Sequence, residues 1–126
     1  MRISRLVLAS LLIPLTPFVH AAAPTYHVHI DATLGVGATS RSLIVDLDSI
    51  EGGGFRGTAT VDGAARDALA WDGPIFADLY INDDGSSDHF RGATWPVGVD
   101  GTYPLLMHGT DIMREATGTL TVSHTS

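Results

Sequence analysis

The feature that most constrains this chain is a two-residue alternation of apolar and polar side chains, repeated in segment after segment. In "TYHVHIDATL", Tyr26, Val28, Ile30, Ala32 and Leu34 share one face, and His27, His29, Asp31 and Thr33 the other. "SLIVDLD" sets Leu43, Val45 and Leu47 against Ser42, Ile44, Asp46 and Asp48. "FRGTATVD" sets Phe55, Gly57, Ala59 and Val61 against Arg56, Thr58, Thr60 and Asp62. "IFADLYI" sets Ile75, Ala77, Leu79 and Ile81 against Phe76, Asp78 and Tyr80, and "GTLTVSH" sets Leu120 and Val122 against Thr119, Thr121 and Ser123. Successive side chains of a strand point to opposite faces, so this period predicts strands with one buried face. Their Thr and Val content suits a pleated, half-buried surface.

Turn signals separate these segments. "EGGG" at 51–54, "VDG" at 61–63, "WDGP" at 71–74, "NDDG" at 82–85 and "VDGT" at 99–102 are Gly or Asp-Gly turns. Short strands at such spacing predict an all-β fold, and the expected architecture is a single antiparallel β-sandwich of about seven or eight strands. "HFRGATWPV" reads as a further strand interrupted at Pro96, hence an edge or a bulge. "YPLLMHG", Tyr103 to Gly109, is a short apolar run of uncertain type. One short helix is allowed for at "GAARDALAW", Gly63 to Trp71, where Ala and Leu recur at helical spacing, and "GTDIMREATG" could hold another helical turn.

The first residues read as a leader rather than as part of the fold. Arg2 and Arg5 precede the apolar run "LVLASLLIPL", and small residues follow at Ala21, Ala22 and Ala23. This is the pattern of a secretory signal peptide, with cleavage expected after Ala21. The expected division is therefore a signal peptide at 1–21 and one β domain at 22–126, periplasmic or secreted, with no membrane contact after cleavage. The apolar run is shorter than the ~20 residues that span a bilayer.

Removing the leader sharpens the charge. The chain has seven Lys+Arg, all arginine, against fourteen Asp+Glu; two arginines leave with residues 1–21 and no acid does, so the net charge becomes −9. Counterion release needs a basic patch, so nucleic acid is excluded as an expected partner; a protein or carbohydrate partner remains open. Cysteine is absent, which excludes thiol nucleophiles, disulfides and Cys-based zinc sites.

Three constellations could carry chemistry. "INDDGSSDHF", Ile81 to Phe90, gathers Asp83, Asp84 and Asp88. Asn82, Asp84, Ser86 and Asp88 alternate as in a calcium loop, but Ser87 stands where the turn glycine belongs and Ala93 where the bidentate glutamate belongs. The segment reads first as an Asp84-Gly85 turn between strands, with calcium as the only cofactor to consider. "HVHID" places His27, His29 and Asp31 on one strand face, an incomplete metal-ligand set of the type a small metallohydrolase would use. Phe76 and Tyr80 on an outward face, with Trp95, are the candidate ligand-binding aromatics. No GxSxG elbow or SxxK pair occurs, so no catalytic residue is assigned.

"TYHVHIDATLGVGATSRSLIVDLDSIEGGGFRGTATVDG", Thr25 to Gly63, resembles the opening of a family of exported β-rich bacterial proteins grouped with the PEP-CTERM (exosortase-sorted) surface proteins. "PLLMHGTDIMREATGTLTV", Pro104 to Val122, is similar to that family's closing strands. The Pro-Glu-Pro motif, apolar helix and basic tail of such proteins do not follow Val122 here. The resemblance implies an exported sandwich-like protein with no assigned activity and no residues to carry over. The function expected from the sequence is an exported, non-enzymatic binding or structural role. The alternatives are a calcium-stabilised carbohydrate-binding sandwich and a metallohydrolase built on His27, His29 and Asp31.

Overall fold

A computed structural model describes residues 24–35, 40–83, 86–109 and 115–125. The expected signal peptide falls outside these residues, as do Asp84 and Gly85. Eight strands follow one another: β1 (Thr25–Leu34), β2 (Arg41–Ser49), β3 (Phe55–Val61), β4 (Ala64–Asp72), β5 (Phe76–Asp83), β6 (Ser86–Ala93), β7 (Gly101–Gly109) and β8 (Glu115–Thr125). Each pairs antiparallel with the next, and β8 returns to β1, from Thr25↔Thr125 to Leu34↔Ala116. The result is a closed up-and-down barrel, which corrects the expected two-sheet sandwich. The alternating faces are as read from the sequence, but the buried face lines one lumen instead of the gap between two sheets.

Three inward glycines account for the closure. A Cβ on Gly57 of β3 would lie 1.9 Å from the Asp46 carbonyl oxygen, and one on Gly118 of β8 would lie 2.0 Å from that of Asp31. On Gly92 of β6 it would meet the Leu106 carbonyl oxygen at 2.9 Å. At each place the neighbouring backbone occupies the volume a side chain would need, so the sheet bends sharply there. Small inward residues do the rest. Ala32, Ala59, Ala68, Ala70, Ala77 and Ala116 are buried among Val28, Ile30, Leu43, Val45, Leu47, Leu79, Ile81, Phe90, Met107, Leu120 and Val122. An eight-stranded lumen is just wide enough for such a filling, and no polar side chain is buried in it among the described residues.

The segment 64–71 is strand, not helix. Alanine has the strongest intrinsic preference for helix, but this is under 1 kcal/mol per residue over most other types. The lumen requires small side chains at Ala68 and Ala70, and pairing with β3 and β5 on both sides settles the conformation. Of the second helical candidate, residues 110–114 lie outside the described residues and 115–118 belong to β8. The "VDG" turn forms as expected. Asp62 (φ 49°) and Gly63 (φ 84°) both adopt positive φ between β3 and β4, as a two-residue type I′ hairpin demands. Asp62 also accepts from Arg41 Nε and from the Ser42 amide, each at 2.8 Å, which ties the turn to the start of β2.

One seam is short. β6 pairs with β7 only at Phe90↔Gly109, Arg91↔His108 and Gly92↔Met107. Past Ala93 the chain leaves the ladder and crosses this end of the barrel as the 94–100 loop. Trp95 turns inward from that loop, is 2% exposed, and packs on Phe55 with ring centroids 5.7 Å apart. Tyr26, Val97 and Tyr103 pack around the same end. The Trp95 amide donates to Asp72 Oδ1 at 3.1 Å, which fastens the plug to the end of β4.

Candidate functional site

Among the described residues the inward side chains are apolar and the charged and hydrogen-bonding groups stand on the outer wall, which is uneven. Over β1, β2 and β8 it is polar, with His27, His29 and Asp31 beside Asp46 and Asp48 and a run of threonines on β8. Over β4, β5 and β6 it is aromatic. The ladder sets Trp71 opposite Asp78 and Leu69 opposite Tyr80 across β4 and β5, then Tyr80 opposite His89 and Asp78 opposite Arg91 across β5 and β6.

The rings are locked to one another. Tyr80 and His89 stack face to face, 4.4 Å apart at an interplanar angle of 4°. Trp71 meets Tyr80 in a T-shaped contact at 5.6 Å. Pairs of this kind contribute about 0.5–1.5 kcal/mol beyond their area burial. Arg91 lies over the Phe76 ring at 5.6 Å. Trp71 is nevertheless 48% exposed, Phe76 46%, and the adjoining Ile75 68%. These are ordered aromatic surfaces that no part of the described chain covers.

Asp78 stands at the centre. Its Oδ1 accepts from His89 Nε2 at 2.8 Å and from Arg91 Nε at 3.0 Å. The His89 hydrogen bond does most to hold the Asp78 carboxyl below its ordinary value; desolvation opposes it, and the hydrogen bond and charge of Arg91 add to the lowering. The group is therefore a fixed carboxylate between Trp71 on one strand and Phe76 and Tyr80 on its own. Next to this row a groove of about 330 Å³ runs over β3 and β4 toward β5, lined by Arg56, Asp67, Leu69 and Asn82 above Gly57 and Ala68. The inward glycine that bends β3 thus also floors the groove. Both charge signs and an amide stand along it.

The candidate residues read from the sequence are redistributed. Phe76 and Tyr80 belong to the aromatic wall. Trp95 does not, since it plugs the barrel end. Trp71 takes its place on the wall, and reading 64–72 as a strand would have found it, because Leu69 and Trp71 then share the outward face. His27, His29 and Asp31 do lie on one outward face. His29 Nδ1 donates to Asp46 Oδ1 at 2.6 Å, and His27 Nδ1 bonds Asp48 across the same pair of strands. Asp88 is half-buried on the strand face that carries Phe90, Asp83 ends β5, and Asp84 lies outside the described residues. No group of three or more His, Asp or Glu placed to hold a metal ion occurs among the described residues.

The remaining described histidines follow the same rule. His108 Nδ1 is 3.5 Å from Glu115 across β7 and β8, and His124 Nδ1 is 2.9 Å from Asp100. Every described histidine therefore pairs with a carboxylate, mostly across a strand ladder. Ionised carboxylates only accept, so the ring nitrogen facing each must carry the proton. Comparison with family models, with curated proteins and with solved structures finds no match.

Proposed function

We propose that this is an exported, non-enzymatic binding module whose ligand sits on the outer wall of β4–β6 rather than inside the barrel. The observation that carries this reading is the exposed aromatic set, Trp71 and Phe76, held around the fixed carboxylate of Asp78 on a barrel whose lumen is packed with apolar side chains. Soluble proteins rarely leave ordered aromatic surfaces bare without a use for them. Export is favoured by the charge and hydropathy pattern of residues 1–21. The outer wall is otherwise charged and threonine-rich and the lumen apolar, the inverse of a membrane-spanning barrel, whose outward band is apolar.

A binding role fits the side-chain chemistry better than catalysis. The described histidines spend a ring nitrogen on a cross-strand or loop carboxylate, an arrangement that clamps neighbouring segments. The test is a binding panel of immobilised glycans, peptides and small aromatics, run on residues 22–126 and on the W71A/F76A double variant. The reading expects at least one retained ligand and its loss in the variant. Retention of the same ligand by both proteins would move the site elsewhere.

A further inference from the structure

We infer that the ligand of this wall is a neutral polysaccharide chain laid along β5, from Trp71 and Phe76 at one end to Asn82 at the other. The inference rests on the outer-wall reading above and adds the ligand's class. Four features of the wall favour it.

The first is length. The outward residues Phe76, Asp78, Tyr80 and Asn82 follow one strand, and the six residue steps from the first to the last extend about 20 Å. The groove lined by Arg56, Asp67, Leu69 and Asn82 opens beside that line, across β4 toward β3, and shares Asn82 with it. A site of this extent accommodates several linked pyranose rings and is long for a single small molecule.

The second is the alternation of chemistry. A pyranose has an apolar C–H face and a rim of hydroxyls that both donate and accept. Trp71 and Phe76 offer exposed ring surfaces for the C–H face. Asp78 accepts with the oxygen that His89 and Arg91 leave free, while Arg91 and Arg56 donate, Asp67 accepts, and Asn82 does both. Carboxylate, guanidinium and amide around bare aromatic rings match a polyol.

The third is charge. On the wall two arginines face two aspartates, Arg56 and Arg91 against Asp67 and Asp78, within a chain of net −9 after the leader. A polyanion meets an opposing field and no basic patch. A cationic ligand meets Arg91 already seated over Phe76, and an Asp78 already bonded by Arg91 and His89. Neutrality is what the wall complements.

The fourth is the closed ladder. An extended peptide binds a sheet by adding to a free edge. β4 and β5 are paired on both sides, so this part of the barrel offers no such edge. The rings are also fixed in advance. Trp71 rests against Tyr80 and close to Gly54, where a Cβ would come within 3.1 Å of Trp71 Nε1, so little side-chain freedom remains to be lost on binding.

The experiment is affinity electrophoresis of residues 22–126 in native gels containing soluble β-glucan, xylan, mannan or amylose, with alginate and chitosan as polyanion and polycation. Wild type is run beside Trp71→Ala, Asp78→Asn and Leu106→Ala, the last an exposed apolar residue of β7, one strand beyond the wall. At least one neutral polysaccharide should retard the wild type, with little change on adding salt. Trp71→Ala should weaken that retardation about tenfold, Asp78→Asn should weaken it too, and Leu106→Ala should leave it intact. Circular dichroism confirms that each variant is folded. Failure of every neutral polysaccharide to retard the wild type, or retardation by alginate or chitosan alone, overturns the ligand class. In that case, Trp71-dependent binding of some other ligand in the panel would leave the outer wall standing as the site. Neutral-polysaccharide retardation that ignores Trp71→Ala would overturn both readings.

Discussion

Replacing Gly118 by alanine is the sharpest test of how this barrel closes. The added Cβ would sit 2.0 Å from the Asp31 carbonyl oxygen and 2.7 Å from the Ala32 Cα, where ordinary contacts are about 3.4–4 Å. The obstruction is backbone of the adjacent strand, so no side chain can swing away to relieve it. Either β1 and β8 part by more than an ångström, weakening the ladder at Ala32↔Gly118, or the bend flattens and the lumen filling shifts. Overpacking of this kind costs about 1–3 kcal/mol, and a strained ladder bond adds about 1 kcal/mol. Against this, alanine recovers about 0.5–1 kcal/mol of the chain entropy that glycine forfeits on folding. The net is a loss of about 1–3 kcal/mol, which in a domain of this size lowers Tm by roughly 5–20 °C. Thermal and urea unfolding followed by circular dichroism measure it, with Thr117→Ala, on the outward face next door, as the control expected within about 0.5 kcal/mol of wild type. The sign is decisive. If the glycine were there for no steric reason, Gly118→Ala would stabilise the strand, and an unchanged or raised Tm refutes the account of closure. Gly57→Ala should behave as Gly118→Ala does, since its Cβ would meet the Asp46 carbonyl oxygen.

Other outcomes follow from the same geometry. Trp95→Ala should cost about 3–5 kcal/mol by emptying the barrel end, whereas Trp71→Ala, half-exposed on the wall, should cost about 1–2 kcal/mol through its lost contact with Tyr80; equal losses would contradict the placing of the two tryptophans. Asp72→Asn keeps the oxygen that accepts the Trp95 amide while removing a charge whose carboxyl is pushed up by partial burial. A raised carboxyl pKa means the folded state pays for the charge above it, so the variant should gain stability at neutral pH and lose that advantage as pH falls below the raised value, checked by urea titrations across pH 3–7. Asp78 is the opposite case: its carboxyl is depressed, so its stabilisation is complete above the ordinary carboxylate value and disappears as pH falls through the lowered one. The stability difference between wild type and Asp78→Asn should therefore be constant near neutrality and shrink in strong acid.

The strands of this fold are legible in the sequence because one-sided burial writes a two-residue period wherever it occurs. His27, His29, Asp31 and Thr33 face outward and Val28, Ile30, Ala32 and Leu34 face inward, as the alternation requires. Closure is not legible in the same way. A sandwich and a barrel impose the same period, and what separates them is whether β8 finds β1 and whether the inward face is small enough to curl. Gly57 and Gly118 encode that property, but as isolated strand glycines they do not reveal which neighbour presses against them. The β4 segment is hidden by composition, since four alanines in "AARDALAW" favour a helix locally and a narrow lumen globally. That misreading also left Trp71, the most exposed aromatic side chain of the wall, without a predicted outward face. Phe76 and Tyr80 were visible because β5 alternates cleanly. The contacts that arrange Asp78, His89 and Arg91 around them depend on the β5–β6 register, which no local pattern specifies.

The most direct measurement uses the two tryptophans as opposed reporters. The chain has only two, one on the wall and one in the plug. In ¹H–¹⁵N spectra of labelled residues 22–126, their indole N–H signals are assigned with Trp71→Phe and Trp95→Phe. The protein is then titrated with a neutral oligosaccharide from the polysaccharide that retards it most. The account predicts saturable shifts of the Trp71 indole and of amides in β4–β6, with the Trp95 indole unmoved. A shift of the Trp95 indole with Trp71 unaffected would place the ligand at the barrel end and contradict it.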